Sequence, residues 1–145
     1  WSAPLMPENR AKSARLIRAA ECGLTDTDYP SISIGNLSSH RAVSQKLGRD
    51  LSVLRWRTNI WLDGLAPWEE FDWIGRIIEI GEVQFEICER VQRCLATTAN
   101  PETGRRDADT LGILQTWDHQ DFCVYARVLN AGTIHLNDSA KAPNP

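Results

Sequence analysis

Residues 76–88, RIIEIGEVQFEIC, alternate apolar and polar side chains on both sides of one glycine, Gly81. Because successive side chains of a strand point to opposite faces, this period of two predicts strands at 76–80 and 82–88, joined near the glycine. In the second strand, one face gathers three apolar side chains that we expect to point into a core, namely Val83, Phe85 and Ile87. The segment therefore predicts a β-hairpin with one buried face.

Other short segments extend the β pattern along the chain. We predict strands at 31–35, 54–62, 124–129 and 133–136, of which the last two form a hairpin around Gly132. Helices are predicted at 40–47 and 109–117, with Ser38 and Ser39 capping the first and Gly48 ending it. About seven short strands with two or three short helices indicate a mainly β fold, a closed or nearly closed β-barrel. The short hairpins disfavour a parallel α/β sheet.

The length of 145 residues fits one domain with a single sizeable core. We expect residues 1–30 to form an irregular lead-in, 31–138 the folded domain and 139–145 a flexible tail. The sequence starts at Trp1 rather than at methionine, so upstream residues and a targeting signal stay open.

Composition narrows the classes of partner. The formal net charge is −3, whereas general nucleic-acid binding normally requires a basic face, so we expect no nucleic-acid partner. No apolar run reaches the roughly 18 residues that span a bilayer, so we expect no membrane partner. Thirteen arginines against three lysines leave selective binding of anions possible. Four cysteines without metal-finger spacing indicate free thiols in a reducing cytoplasm.

Chemistry concentrates in residues 93–104, RCLATTANPETG, where Cys94 follows an arginine. A thiolate can bind a soft metal or attack an electrophile, and a neighbouring cation lowers the pKa of a thiol. A cysteine is also often only a small buried hydrophobe, and composition alone favours that interpretation. By strand parity Cys88 points away from the core, so we do not expect it to join Cys94 at one site. The sequence contains no GxGxxG, no GxSxG and no histidine pair at metal-ligand spacing.

The predicted strand at 54–62 has one polar face, which includes Arg55, Arg57 and Asn59. One interpretation is the solvent side of an antiparallel strand. The other is that Arg57 and Asn59 line an anion-binding cavity, since guanidinium and amide groups suit phosphate and the amide edge of a pterin. Pattern alone favours the first.

Four ordered motifs resemble a known family. They are RWRTNI at 55–60, WEEFDWIG at 68–75, IGEV at 80–83 and RCLATTANPETG at 93–104. Together they resemble the MOSC domain, named for the C-terminal domain of molybdenum-cofactor sulfurases, over residues 31–138. The motifs resemble those of bacterial relatives of the mitochondrial amidoxime-reducing components. The resemblance implies the MOSC, pyruvate-kinase-barrel-like fold.

The resemblance also implies roles for individual residues. Cys94 takes the place of the cysteine that ligates molybdenum and is catalytic. Arg57, Asn59 and Arg93 take the places of residues that contact the molybdopterin-type cofactor. Ser38 resembles a further contact, although Gly35 departs from the serine usual nearby.

The implied reaction is a molybdenum-dependent reduction of small N-hydroxylated substrates, with electrons from a donor protein or domain. Family members of this type carry an N-terminal barrel portion, so such a portion of the same polypeptide is a candidate partner. Pyridoxal phosphate is not expected in this chain. Two alternatives stay open: a sulfur-carrier or cofactor-transfer module with a persulfide on Cys94, and a truncated, non-catalytic barrel.

Overall fold

The structure is a computed structural model that describes residues 8, 14, 15, 17, 18 and 25–142. The chain divides into two compact units, Trp1–Pro30 and Ser31–Pro145. Most of the predicted lead-in at 1–30 lies outside the described residues. In its last part, the Thr25 hydroxyl donates to the Tyr29 carbonyl over 2.8 Å and closes a turn.

The second unit is a mainly β domain, a nearly closed barrel of six strands with two α-helices, as the sequence predicted. The strands lie in the order β2-β1-β5-β4-β3-β6. Only β1 and β2 run parallel among these neighbours. In chain order the strands are β1 Ile32–Asn36, β2 Ile60–Leu62, β3 Ile77–Ile80, β4 Val83–Gln92, β5 Asp121–Val128 and β6 Ala140–Lys141.

The predicted hairpin is confirmed as β3 and β4, whose closing pair is Ile80 and Val83. Gly81 in the connection has a φ of +57°, which favours glycine. The expected inward face is buried, because Val83, Phe85 and Ile87 are at most 6% exposed. β4 continues beyond the predicted end to Gln92, with register shifts near 88 and 91 that bend the strand.

Both helices form where the pattern predicted them, with different caps. α1 spans Leu37–Leu47 and α2 spans Thr110–Gln115. The N-cap of α1 is Asn36 rather than the predicted Ser38 or Ser39, because the Asn36 carboxamide accepts from the Ser38 amide over 2.8 Å. Gly48 ends α1 at a φ of +74°, as predicted. Within the described part of the chain, every helix is too short or too polar to cross a membrane.

The strand predicted at 54–62 is wrong in its first half. Val53–Trp56 form a 3-10 turn, and the strand starts only at Ile60. The Ser52 hydroxyl accepts from the Leu54 amide and caps this turn. Arg55 and Trp56 are both buried, so tertiary contacts on both sides of the segment override its alternation.

The hairpin predicted at 124–129 and 133–136 is also wrong in its second strand. β5 ends at Val128, and the Asn130 side chain then bonds the start of β4, accepting from the Gln84 amide over 2.7 Å. The partner of β3 at the sheet edge is instead β6, which lies inside the predicted tail and pairs Ala140 with Ile80. A side-chain bond to the neighbouring strand thus replaces the expected hairpin.

Buried apolar side chains form two clusters. The barrel cluster lies between the strands and includes Ile34, Phe85 and Ile87. The site cluster packs strand residues against both helices and the turn at 53–56; its buried members are Val43, Leu51, Trp56, Val91, Leu114, Phe122 and Cys123.

Candidate functional site

Cys94 lies just beyond the end of β4, where the chain leaves the sheet. The Arg93 amide donates to the Gln120 carbonyl over 2.9 Å, which anchors this exit to the start of β5. Cys94 itself is extended and immediately precedes a 3-10 turn, Leu95–Thr98, called here the Cys94 turn. Thr97 holds the Cys94 carbonyl through its amide at 3.2 Å and its hydroxyl at 3.1 Å. The backbone that carries the thiol is therefore fixed.

The Cys94 residue is exposed, so it is not the small core hydrophobe that composition favoured. That description fits Cys123, which is fully buried in the site cluster. Burial raises the pKa of the Cys123 thiol to about 11, although the nearby Arg93 guanidinium and Thr58 hydroxyl act in the opposite direction. Cys88 is half-buried on β4. Of the cysteines that the structure describes, Cys94 presents the most accessible thiol.

Arg93 points back into the domain and not toward solvent. Its Nε donates to the Phe122 carbonyl over 2.9 Å, and its Nη1 donates to the Trp56 carbonyl over 3.0 Å. Its Nη2 is buried without a nitrogen or oxygen partner among the described residues. Arg93, which precedes Cys94, is thus hydrogen-bonded to Trp56, which precedes Arg57.

Arg57 lies at the end of the turn at 53–56 in the left-handed region, with a φ of +53°. Its side chain is exposed and makes no hydrogen bond or ion pair with the residues that the structure describes. A left-handed, non-glycine residue is strained, and such strain often marks a functional position. The bond between Arg93 and the Trp56 carbonyl places Arg57 and Cys94 on two turns that are joined directly.

The Asn59 side chain bonds to β1 and not to the segment that carries Arg57. Its side-chain oxygen accepts from the Ser33 amide at 2.8 Å and the Ser33 hydroxyl at 3.0 Å, which ties it to β1. It borders a mainly apolar cavity of about 310 Å³ that Ile32, Ile60 and Phe85 also line. The predicted common strand face of Arg57 and Asn59 is wrong, because residues 57–59 precede the strand.

Ser38 lies in the first turn of α1. Its hydroxyl accepts from Arg41 Nη2 over 2.9 Å, and the same nitrogen pairs with the Asp63 carboxylate at 2.6 Å. These bonds lead to the surface near Asp63 rather than to Cys94 or Arg93. The structure thus brings together Cys94, Arg93 and Arg57, while Asn59 and Ser38 bond to other parts of the domain.

Sequence reasoning missed Arg55, which it had placed on a polar strand face. Arg55 is 4% exposed, and its Nη1 donates to the Thr98 carbonyl over 3.2 Å. Its Nη2 pairs with the Asp107 carboxylate at 2.5 Å. The Arg55 guanidinium, with help from Asn100 and Arg49, lowers the pKa of Asp107 to about 2. The RWR motif contained this signal, but alternation alone could not reveal that its first arginine is buried.

Aromatic side chains pack around Trp56, the last residue of the turn at 53–56. The fully buried Trp56 ring stacks on Phe122 at 3.8 Å between centroids. Its indole nitrogen donates to His40 Nδ1 over 3.0 Å, so the neutral histidine carries its proton on Nε2. Burial lowers the pKa of His40 and favours that neutral form. The stacking and the hydrogen bond hold the Trp56 side chain in place.

The donor set also bears on metal binding. In the described residues, no group of three or more His, Cys, Asp and Glu side chains could enclose a metal ion. A metal at Cys94 would therefore need ligands from a bound molecule as well as from these side chains. An exposed thiol, on a segment that Arg93 joins to the one carrying the exposed Arg57, fits an anionic, metal-carrying cofactor of that kind.

Comparison with known proteins identifies one family and two named relatives that are similar to this chain. A family model for the MOSC domain matches residues 26–141. The "Molybdenum cofactor sulfurase" of Drosophila grimshawi is 35% identical over 105 residues, which cover 67% of this chain and 13% of that protein. "Mitochondrial amidoxime-reducing component 1" of Mus musculus is 25% identical over an alignment of 148 positions, which covers 91% of this chain and 43% of that protein.

A solved structure shares the fold. The crystal structure of YiiM from Geobacillus stearothermophilus aligns with a TM-score of 0.56 and 19% identity, covering 78% of this chain and 54% of that one. The chain spans less than half the length of both curated relatives described above.

Proposed function

The chain belongs to the MOSC domain family, and on that basis we propose that it binds a molybdenum cofactor through Cys94 and reduces N-hydroxylated substrates. The observation that carries the proposal is the position of Cys94. Cys94 is exposed at the start of a fixed turn. The hydrogen bond from Arg93 to the Trp56 carbonyl joins this segment to the turn that presents Arg57. Relatives named for molybdenum cofactor sulfurase and for amidoxime reduction support the cofactor class.

The chain's own residues have separate tasks in this proposal. The Cys94 thiolate would hold the metal, and Thr97 fixes the backbone that carries the thiol. The Arg57 guanidinium is free to bind an anionic or amide edge of the cofactor. Arg93 orients the two turns through its bonds to the Trp56 and Phe122 carbonyls. When bound, the cofactor supplies the two-electron chemistry that cleaves an N–O bond.

The proposal includes partners that the reaction needs. An electron-donor protein or domain must supply two electrons per turnover, and the substrate is a small N-hydroxylated molecule. We assign the protein to the cytoplasm, where free thiols are stable. Asn59 and Ser38 stay proposed cofactor contacts on the family motif alone. The named activity of the sulfurases is not part of the proposal, because this chain matches 13% of the Drosophila grimshawi protein.

Metal analysis of purified protein tests the proposal. Wild type, Cys94→Ser and the matched control Cys88→Ser are expressed in bacteria that make the cofactor, and molybdenum is measured per protein. We expect wild type and Cys88→Ser to carry similar molybdenum and Cys94→Ser less than about a tenth of it, since the proposal makes the Cys94 sulfur the protein's ligand to the metal. Reduction of benzamidoxime with a reduced viologen should follow the metal content. Equal molybdenum in wild type and Cys94→Ser would refute the proposal.

The exposed thiol also supports a second candidate, a sulfur carrier with a persulfide on Cys94. That candidate predicts sulfane sulfur released by cyanide from wild type and Cys88→Ser but not from Cys94→Ser. It also predicts no reduction of benzamidoxime with any electron donor. The two measurements therefore separate the candidates.

A further inference from the structure

Two short turns lie next to the proposed cofactor residues. Each turn accepts a hydrogen bond from an arginine in or next to the other turn. The turn at 53–56 precedes Arg57, and the Cys94 turn follows Cys94. From the first turn, Arg55 Nη1 donates to the Thr98 carbonyl at 3.2 Å and contacts the Thr97 carbonyl at 3.5 Å. From the other side, Arg93 Nη1 donates to the Trp56 carbonyl at 3.0 Å. The bonds are reciprocal.

The Arg55 side chain is 2% exposed, so its charge depends on protein partners. Asp107, at 28% side-chain exposure, supplies the counter-charge through the 2.5 Å contact with Nη2. The amide of Asp107 also donates to the Thr98 carbonyl over 3.1 Å. Arg55 and Asp107 thus converge on the same carbonyl at the end of the Cys94 turn.

Asp107 is itself held from the solvent side. Arg49 donates to its carboxylate over 2.9 Å and to its carbonyl over 3.0 Å, and the Asn100 carboxamide donates to the carboxylate over 3.1 Å. The carboxylate therefore receives bonds from three side chains. A buried guanidinium with a carboxylate fixed in this way can hold backbone carbonyls in one geometry.

We propose that Arg55 is a positioning residue: with Asp107 it locks the Cys94 turn against the turn that presents Arg57, so that thiol and guanidinium face one bound cofactor. This inference rests on the proposed function for its purpose, but the lock itself is a property of the cofactor-free protein. The hydrogen bonds of the Arg55 guanidinium to the Cys94 turn go to backbone carbonyls. Arg55 acts through the carbonyls of Thr97 and Thr98.

Amide hydrogen exchange in cofactor-free protein tests the lock. The reporters are the amides of Thr97 and Ala99, which are bonded inside the Cys94 turn, and the reference is the Ile87 amide, which is bonded to Arg76. Arg55→Met should raise exchange at both reporters about tenfold, the scale of losing one hydrogen bond to a charged group, and leave Ile87 within about twofold. Arg55→Lys should restore part of the protection, because it keeps the charge but not the fork of donors.

Two further variants keep the test decisive. Asp107→Asn removes only the counter-charge and should raise exchange at the same reporters, even if Arg55→Met does not fold. Arg41→Met removes an exposed ion pair elsewhere in the domain, that of Arg41 with Asp63. It should leave amide exchange at Thr97 and Ala99 unchanged. Unchanged exchange at the reporters in Arg55→Met and Asp107→Asn, or an equal rise at Ile87, would overturn the lock.

Retention of molybdenum through a desalting column tests the purpose of the lock. We expect Arg55→Met to retain less than about a third of the wild-type metal, and Arg55→Lys to recover part of the loss. Full retention in Arg55→Met would overturn the positioning role. If wild type and Cys94→Ser both lack molybdenum, the proposed function fails, whereas the exchange result still decides whether Arg55 positions the Cys94 turn.

Discussion

At the scale of single residues, the most unusual group outside the candidate site is the carboxyl of Glu70, which is fully buried. Its two oxygens accept from the Asn36 carboxamide at 2.8 Å and from the Ser39 hydroxyl at 3.0 Å. The Ser39 oxygen accepts in turn from the Trp68 amide at 2.8 Å. Burial raises the pKa of Glu70 above its ordinary value of 4.5 and outweighs these hydrogen bonds. The adjacent acids Glu69 and Glu70 give no sign in the sequence of which one is buried.

The raised pKa of Glu70 predicts how stability depends on pH. Above pH 4.5 and below its native pKa, native Glu70 keeps a proton that the unfolded chain has lost, so the free energy of unfolding falls as pH rises through this window. Glu70→Gln should remove that part of the slope, since glutamine does not titrate. Urea unfolding from pH 4 to 8 measures it. Parallel curves for wild type and Glu70→Gln would contradict the prediction.

The site residues show the limit of pattern reasoning at this scale. Cys94 and Arg57 follow motif positions, and the structure places them on two turns that bond to each other. Asn59 is two positions from Arg57, yet it bonds to β1 because the chain turns at the left-handed Arg57 before the strand begins. A backbone reversal of that kind depends on the burial of Arg55 and Trp56, which no local alternation records.

At the scale of elements, β1 has no room for a side chain at Gly35. A Cβ on Gly35 would lie 2.8 Å from the Cys123 sulfur and 3.0 Å from atoms of Thr58 and Trp61. The Cys123 sulfur is already bonded to the Thr58 hydroxyl at 2.9 Å. The space is therefore filled, and glycine is required here for contact rather than for a turn.

Gly35→Ala should lower the free energy of unfolding by about 1–3 kcal/mol, the usual cost of overpacking a core. Urea denaturation measures the loss, with Cys123→Ala as the single-variant reference. Because the sulfur is the nearest obstacle, the double variant Gly35→Ala/Cys123→Ala should cost less than the sum of the two singles. Strict additivity would show that the sulfur is not what excludes the methyl group.

Local elements were predictable where short-range contacts decide them. The hairpin of β3 and β4 needs only alternation and a glycine, and α1 needs only a cap and Gly48. The segment 133–136 failed because the Asn130 side chain bonds the start of β4. The pairing of β6 with β3 could not be predicted, since it joins residues about 60 positions apart in the sequence.

At the scale of the whole domain, the barrel class followed from the number and spacing of short strands. The order β2-β1-β5-β4-β3-β6 did not, and neither did the parallel pair of β1 and β2, because strand order depends on non-local contacts. Nor could the sequence divide the apolar residues into two clusters. That division matters for function, since the turns that carry Cys94 and Arg57 rest on the site cluster, whereas the barrel cluster lies between the strands.

Two buried phenylalanines allow the clusters to be separated by experiment. Phe122 is 0% exposed and belongs to the site cluster, and Phe85 is 2% exposed and belongs to the barrel cluster. Each change to leucine should cost about 1–3 kcal/mol of unfolding free energy, as is usual for core substitutions. Only Phe122→Leu should also loosen the packing around Cys123, because the two are neighbours in the site cluster and Phe122 stacks on Trp56.

Alkylation of the Cys123 thiol under native conditions, followed by mass spectrometry, reports that loosening. If the thiol became accessible only by global unfolding, two variants of equal stability would label at equal rates. We expect Phe122→Leu to label Cys123 several-fold faster than Phe85→Leu, with urea concentration adjusted so that both have the same free energy of unfolding. Equal labelling rates would mean that the site cluster opens only with the whole domain, and that the turns bearing Cys94 and Arg57 have no separate support.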